Sequence, residues 1–169
     1  VVLGVDFFVL FERELEAREH QERAEHVHDP RKFVDHRDAE ADEDRVTSIG
    51  NDGLIMTCAH VGHDCHVGSH VILANYVALA GHVTVDDRAI VGGLVAVRQF
   101  CRIGELAMVG GTTRVCNDAP PFMITDGNPA KCGGPNKVGL QRNGYDDAAR
   151  KRIKVMYKIM WRSHLNTSQ

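Results

Sequence analysis

Cysteines are few in this sequence, and their spacing suits neither a disulfide framework nor a structural zinc site. The five cysteines are odd in number and form no CxxC pair. No apolar run is long enough to cross a bilayer, so no transmembrane segment is expected. The apolar opening VVLGVDFFVLF lacks a basic leader and a small-residue cleavage site, so we expect no signal peptide. These absences favour a cytoplasmic location.

Charge is distributed unevenly along a chain whose net charge is only -3. Residues 1–45 contain 7 basic and 14 acidic residues, and we predict a divergent charged segment, leaving open whether it is disordered, helical or non-native. Residues 128–169 contain 9 basic and 2 acidic residues. This excess of positive charge predicts an acidic partner or ligand. A nucleic-acid partner is not expected.

The central part of the chain has an aliphatic residue at every sixth position, twelve times in succession. The series is Ile49, Ile55, Val61, Val67, Leu73, Leu79, Val85, Val91, Val97, Ile103, Val109 and Val115. A helix repeats its apolar residues every three to four positions and a half-buried strand every two, so neither explains a period of six. The period instead predicts a solenoid, in which each unit buries its apolar residue against its neighbours.

Two further columns of the repeat agree with the aliphatic one. Four positions after each aliphatic residue stands a small residue that fits a narrow core, and two positions after it stands a polar residue or glycine that suits a turn. Each hexad therefore reads as a very short strand followed by a corner. We predict a solenoid over residues 46–121, a loop across its end over 122–144 and a helical region over 145–169.

The repeat resembles that of the hexapeptide-repeat proteins. The resemblance implies an all-β, left-handed parallel β-helix with three hexads in each triangular coil. A C-terminal α-helical segment is expected after it.

Histidines are concentrated early in the repeat, and one of them is followed directly by a carboxylate. His63 stands in the corner column, and Asp64 can fix the tautomer of its ring and stabilise its positive charge. With three hexads in a coil, Gly81 is expected above His63 at roughly 4.8 Å and His82 above Asp64. The Gly81 N–H can then donate to a developing oxyanion. We predict a base, an orienting acid and an oxyanion donor in one groove; the alternative is an ordinary surface histidine.

Eight short strings extend the resemblance beyond the repeat: AHVGHDC, ILAN, LAGHV, AVRQFC, VGG, PPFMI, GNPA and GLQRNG. They are similar to strings of the bacterial UDP-N-acetylglucosamine acyltransferases of lipid A synthesis. The resemblance implies transfer of an (R)-3-hydroxyacyl group from acyl carrier protein to the 3-hydroxyl of UDP-N-acetylglucosamine. It also implies a homotrimer with sites between subunits, and no cofactor or metal.

Carried over by motif, the resemblance implies that His63 is the general base, that Asp64 orients it and that the Gly81 amide stabilises the oxyanion. The substrate-binding positions that it implies are His60, His82, Gln99, Gly111, Asn136 and Arg142. Among these, Gly111 matches the position that limits acyl-chain length, and Arg142 is placed to meet phosphate or an acidic carrier.

The chain departs from the family at two points, and three other functions remain open. Arg98 replaces an active-site histidine of the family, and residues 1–45 contain no counterpart of the family's upstream coils. The alternatives are an N-acyltransferase of the same pathway, a γ-type carbonic anhydrase with zinc held across a trimer interface, and an inactive partial relative.

Overall fold

A computed structural model describes residues 46–161 of the chain. The charged segment predicted for residues 1–45 lies outside this range, as do residues 162–169 at the end of the predicted helical region. The described residues form a left-handed parallel β-helix followed by a helical segment, which confirms the predicted fold class. Neither helix of this part is both long and apolar enough to span a membrane.

Every hexad contributes one strand of two residues. These strands are Ser48–Ile49 (β1), Leu54–Ile55 (β2), His60–Val61 (β3), His66–Val67 (β4), Ile72–Leu73 (β5), Ala78–Leu79 (β6), Thr84–Val85 (β7), Ile90–Val91 (β8), Ala96–Val97 (β9), Arg102–Ile103 (β10), Met108–Val109 (β11) and Arg114–Val115 (β12). Each of the strands β1 to β9 pairs in parallel with the third strand after it, as His60 of β3 does with Ala78 of β6. Three strands therefore complete one coil, as the resemblance to the hexapeptide-repeat proteins implies.

The coils stack into three sheets, one for each face of the prism. Sheet A has the order β1-β4-β7-β10, and sheet C has the order β3-β6-β9-β12. Sheet B has the order β2-β5-β8-β11 and continues into two later strands, Met123–Asp126 (β13) and Lys131–Pro135 (β14). A side chain on one coil is thus covered by the side chain at the same position of the next coil, which fixes what can meet at each corner.

The aliphatic column forms the core along most of the prism. Leu73, Leu79 and Ile103 are fully buried. Burial of each such side chain contributes about 1.5–3 kcal/mol. Ile49 and Ile55 belong to the same column but are 49% and 42% exposed, because β1 and β2 are the end strands of their sheets in the described part of the chain.

Each corner contains one residue in the left-handed backbone region, and these residues are not glycines. Asp64, His82 and Phe100 have φ values of 55°, 59° and 62°. This conformation turns the chain and lets the backbone N–H bond the neighbouring coil, as His82 N donates to the His63 carbonyl at 2.9 Å. Most side chains at this position lie at the surface of a corner, whereas Leu106 and Phe122 are buried.

The loop predicted for residues 122–144 is replaced by a hairpin and a helix. The last coil is two residues shorter than the others, since Ile103 pairs with Ala119 and Met108 pairs with Ile124. The shorter coil places Pro120 and Pro121 in a turn. Because neither residue lies in a strand there, their lack of a backbone N–H removes no hydrogen bond between strands. Strand β13 can then join β11 in parallel and turn back as β14.

Two helices follow the hairpin. The first, α1 (Lys137–Arg142), was not predicted, because its six residues are too few to show a helical period. The second, α2 (Asp147–Trp161), agrees with the predicted helical region. Its first turn is capped by Asp146, which accepts a bond from the Ala149 N–H at 2.7 Å.

Burial gives the thiols different reactivities. Burial raises the pKa of Cys65 and raises the pKa of Cys101 to about 11, whereas Cys58 is exposed. Because the thiolate is the reactive form, iodoacetamide at pH 8 is expected to alkylate Cys58 in the native protein and to spare the two buried thiols. Peptide mass mapping with and without denaturant measures this. Native labelling of Cys101 as fast as Cys58 would contradict the burial described here.

Candidate active site

Five of the nine predicted site residues meet at one corner of the prism. Corner C is defined as the turns that follow β3, β6 and β9, residues 62–65, 80–83 and 98–101. It contains five predicted site residues: His63, Asp64, Gly81, His82 and Gln99. They come together because the strands before them pair one full coil apart, His60 with Ala78 and Ala78 with Ala96. The register of the parallel strands therefore brings these five residues together without any long loop.

His63 and Asp64 form a hydrogen-bonded pair. The distance from His63 Nδ1 to Asp64 Oδ2 is 2.6 Å, and the side chains are 66% and 21% exposed. A carboxylate only accepts hydrogen bonds, so the ring carries its proton on Nδ1 and keeps Nε2 as an acceptor. The left-handed conformation of Asp64 brings two adjacent side chains to the same surface. The pair can therefore take up a proton at Nε2 and stabilise the resulting charge.

Gly81 lies directly against the ring of His63. A Cβ added to Gly81 would stand 2.5 Å from both Cε1 and Nε2 of His63, too close for any real side chain. Within residues 46–161, the Gly81 N–H has no hydrogen-bond acceptor. A backbone without a side chain and an unused N–H donor thus belong to the residue that lies against His63 Nε2.

His82 joins the pair from the next coil. Its Nε2 is 3.7 Å from Asp64 Oδ2, and its ring meets the ring of His63 edge to face, with 5.0 Å between centroids. On the other side His82 stacks on Phe100, with 4.7 Å between centroids and 13° between planes. Phe100 was missed at the sequence level, although it stands three hexads after His82 and the coil length could have located it.

The cluster of His63, Asp64 and His82 has the ligand types of a metal site, and its potential ligand atoms lie within 4.8 Å of one another. Zinc bonds of about 2.0–2.1 Å in a tetrahedral site separate neighbouring ligand atoms by roughly 3.3 Å. The observed separation of 2.6 Å between His63 Nδ1 and Asp64 Oδ2 is that of a hydrogen bond instead. The geometry therefore suits proton transfer better than metal binding.

A buried cysteine lies under corner C but is unsuited to act as a nucleophile. Cys65 is fully buried, and its Sγ donates to the Ala80 carbonyl at 3.0 Å. Burial raises the pKa of this thiol, so it stays protonated at neutral pH. The reactive groups at corner C are thus the imidazoles, the carboxylate and the backbone amide.

His60 and Gly111 lie away from the His63 cluster. His60 is the exposed first residue of β3, on the face of sheet C three residues before His63. Gly111 follows β11, so it lies at corner B, defined as the turns after the strands of sheet B. A Cβ on Gly111 would be 3.3 Å from the Gly93 carbonyl, one coil earlier at the same corner. Among the described residues, the hydrogen bond and the ring contact of His63 are made with Asp64 and His82 instead.

The two C-terminal site residues lie outside corner C. Asn136 is 7% exposed and its amide is used within the chain: Nδ2 donates to the Leu106 carbonyl at 2.9 Å, and Oδ1 accepts from the Gly139 N–H at 3.0 Å. The bond to Leu106 fixes the start of α1 against a corner that follows sheet A. Arg142 is the exposed last residue of α1. Asn136 therefore holds the start of α1 in place, and its role in substrate binding stays a prediction.

Comparison with known proteins gives consistent results. Residues 118–169 match the family described as Udp N-acetylglucosamine O-acyltransferase, domain 2. The acyl-[acyl-carrier-protein]–UDP-N-acetylglucosamine O-acyltransferase of Verminephrobacter eiseniae is 50% identical over 120 residues, 71% of this chain and 46% of that protein. Its counterpart from Gloeothece citriformis is 43% identical over 127 residues, 75% and 46% of the two chains.

Solved structures agree with these matches. The crystal structure of UDP-N-acetylglucosamine O-acyltransferase from Moraxella catarrhalis superposes with a TM-score of 0.69 at 41% identity and covers 71% of this chain and 47% of that one. The chain thus spans about half the length of the curated relatives that it matches. The solenoid, the C-terminal family match and these sequence identities together show that this chain belongs to the UDP-N-acetylglucosamine O-acyltransferase family.

Proposed function

We propose that this chain is an acyltransferase that moves an (R)-3-hydroxyacyl group from acyl carrier protein to the 3-hydroxyl of UDP-N-acetylglucosamine, the first step of lipid A synthesis. One observation carries the proposal: His63 is bonded to Asp64 through Nδ1 and presents Nε2 beside the Gly81 backbone. The names of the relatives support acyl carrier protein as the donor and UDP-N-acetylglucosamine as the acceptor.

The proposed reaction begins when His63 Nε2 removes the proton of the sugar hydroxyl. The oxygen attacks the thioester carbonyl carbon, and the Gly81 N–H donates to the tetrahedral oxyanion that forms. Collapse re-forms the carbonyl, breaks the C–S bond and releases the carrier thiolate, which takes the proton from the His63 imidazolium. Asp64 stabilises the imidazolium between these steps. No covalent enzyme intermediate and no metal enter this scheme.

The remaining predicted residues keep their proposed roles. We propose that His60, His82 and Gln99 contact the acceptor near corner C, that Gly111 limits the acyl chain, and that Arg142 meets phosphate or the carrier. The excess of basic residues in 128–169 supports an acidic carrier.

Assembly and location also remain proposals. The cluster at corner C is open to solvent, and Tyr76 and Leu94 at corner B are 57% and 61% exposed. Both observations support a homotrimer in which a neighbouring subunit covers these surfaces. The cytoplasmic location expected from the sequence stays a prediction.

The test uses the full 169-residue protein with 3-hydroxyacyl carrier protein and UDP-N-acetylglucosamine. We expect a new ester product by liquid chromatography and mass spectrometry, unaffected by EDTA. A 3-amino analogue of the acceptor serves as the comparison: preferential amide formation would favour the N-acyltransferase.

The remaining outcomes of this assay contradict the proposal. Stoichiometric bound zinc that only chelation removes, together with no ester product, would favour the carbonic anhydrase type. Absence of product from both acceptors, with a folded protein by circular dichroism, would show the chain to be a non-catalytic relative.

A further inference from the structure

Phe100 lies at corner C, and its side chain is not part of the hydrophobic core. Its side chain is 60% exposed, and its backbone has a φ of 62°. The corresponding residue at the preceding corner, Leu94, is 61% exposed with a φ of 61°. These two positions are equivalent in backbone and exposure, so the solenoid itself does not require an aromatic ring at residue 100.

What distinguishes Phe100 is its contact with His82. The two rings are stacked with 4.7 Å between centroids and 13° between planes. A flat ring pair of this kind favours one orientation of each ring, since tilting either ring loses contact area and the offset-stacked geometry. The two other contacts of the ring are different in kind: Asp64 Oδ2 is 3.7 Å from Nε2, and the His63 ring meets it at 89°. Phe100 is therefore the side chain that lies flat on the His82 ring.

The orientation of the His82 ring matters because the ring approaches both other polar groups of the cluster. His82 Nε2 is 3.7 Å from Asp64 Oδ2, and the ring presents itself at 89° to the ring of His63. The same Asp64 oxygen accepts the bond from His63 Nδ1. Rotation of His82 would thus change the surroundings of the carboxylate that orients His63. It would also change the contact between the rings of His82 and His63.

We propose that Phe100 is a positioning residue: by stacking on His82 it fixes the ring that borders the Asp64–His63 pair, and so keeps His63 in the orientation for proton transfer. The kinetic part of this inference rests on the proposed acyl transfer. The structural part, that Phe100 sets the orientation of His82, stands independently of any activity.

The structural part is tested by NMR of the imidazole CH and ring nitrogen signals. In the wild-type protein the His82 CH signals are expected to carry the upfield shift produced by a stacked ring. Phe100→Leu should abolish this shift and change the His63 ring signals as well. Phe100→Tyr, which retains a flat ring, should preserve both. Arg88→Ala is the matched control: Arg88 has the same corner conformation, with a φ of 57°, but follows β7 at a corner of sheet A, and its replacement should leave the His63 and His82 signals unchanged.

The kinetic part compares the same variants in the acyl-transfer assay. Phe100→Leu is expected to lower kcat by about 2- to 12-fold with little change in melting temperature, the loss that one stacked aromatic pair implies. Phe100→Tyr should restore the rate, and Arg88→Ala should match the wild type. A merely structural role would instead lower the melting temperature, with no rescue specific to an aromatic ring.

The outcomes separate this inference from the proposed function. If the His82 signals are the same in wild type and Phe100→Leu, the inference is overturned whatever the activity. If the signals change as expected but kcat does not, the stacking is real and the positioning role is wrong. If the wild-type protein has no activity, the proposed function and the kinetic part fail together, while the NMR comparison still decides the structural part.

Discussion

Replacing His63 with alanine is expected to lower kcat by about 10²- to 10⁴-fold, the range typical for removal of a general base. A sugar hydroxyl has a pKa far above neutrality, so its attack on a thioester needs a group that removes the proton as the bond forms. His63 meets this requirement because Asp64 holds the proton on Nδ1 and leaves Nε2 basic. Initial rates measured at saturating donor and acceptor give kcat directly.

His70→Ala is the matched control for this substitution. His70 is also an exposed corner histidine, with a φ of 57°, but it follows β4 and lies at a corner of sheet A. Its replacement should leave kcat unchanged. Both variants should keep the wild-type melting temperature, because both side chains are exposed. A His63→Ala protein that turns over at the wild-type rate would rule out His63 as the base.

Replacing Gly81 with alanine is expected to lower kcat by about 10²-fold through displacement of His63. The new methyl group would stand 2.5 Å from the ring atoms Cε1 and Nε2, so the imidazole must move away from its bond to Asp64. A displacement of about 1 Å near the reacting atoms is enough for a loss of this size. The fold should survive, because the group that moves is an exposed side chain and the backbone of Gly81 does not need a positive φ.

Gly93→Ala is the matched control, since Gly93 occupies the same turn position at corner B. Its added methyl group would meet the Asn75 carbonyl at 3.2 Å, a contact that needs only a small adjustment. We expect wild-type kcat for Gly93→Ala. Thermal unfolding followed by circular dichroism distinguishes displacement of the ring from unfolding. A Gly81→Ala protein with full activity would show that His63 does not act from the position described here.

Two parts of the structure were not predictable from the repeat. The short helix α1 has six residues, fewer than two turns, so its sequence shows no apolar period. The last coil has lost two residues, as the pairings of Ile103 with Ala119 and of Met108 with Ile124 show. That shift allows β13 to extend sheet B where a loop was expected. Both features depend on contacts between segments, which a local pattern does not contain.

The contacts of some site residues were likewise not predictable from the sequence. Asn136 matches a site position of the family by motif, but its amide caps α1 and bonds Leu106, contacts that only the folded chain brings together. Phe100 was overlooked, although it is one coil after His82. The ring stacking that makes it relevant depends on side-chain orientation.

The sequence by itself indicated the winding, because a sustained period of six is typical of stacked coils, and the coil of three hexads that the resemblance implies fixes which residues share a corner. His63, Asp64, Gly81 and His82 follow from that arithmetic. Only the tertiary structure decided how their atoms meet: which imidazole nitrogen faces the carboxylate, how closely Gly81 approaches the ring and which side chain holds His82. These depend on rotamers and packing at distances of a few ångströms, which residue spacing along a chain does not specify.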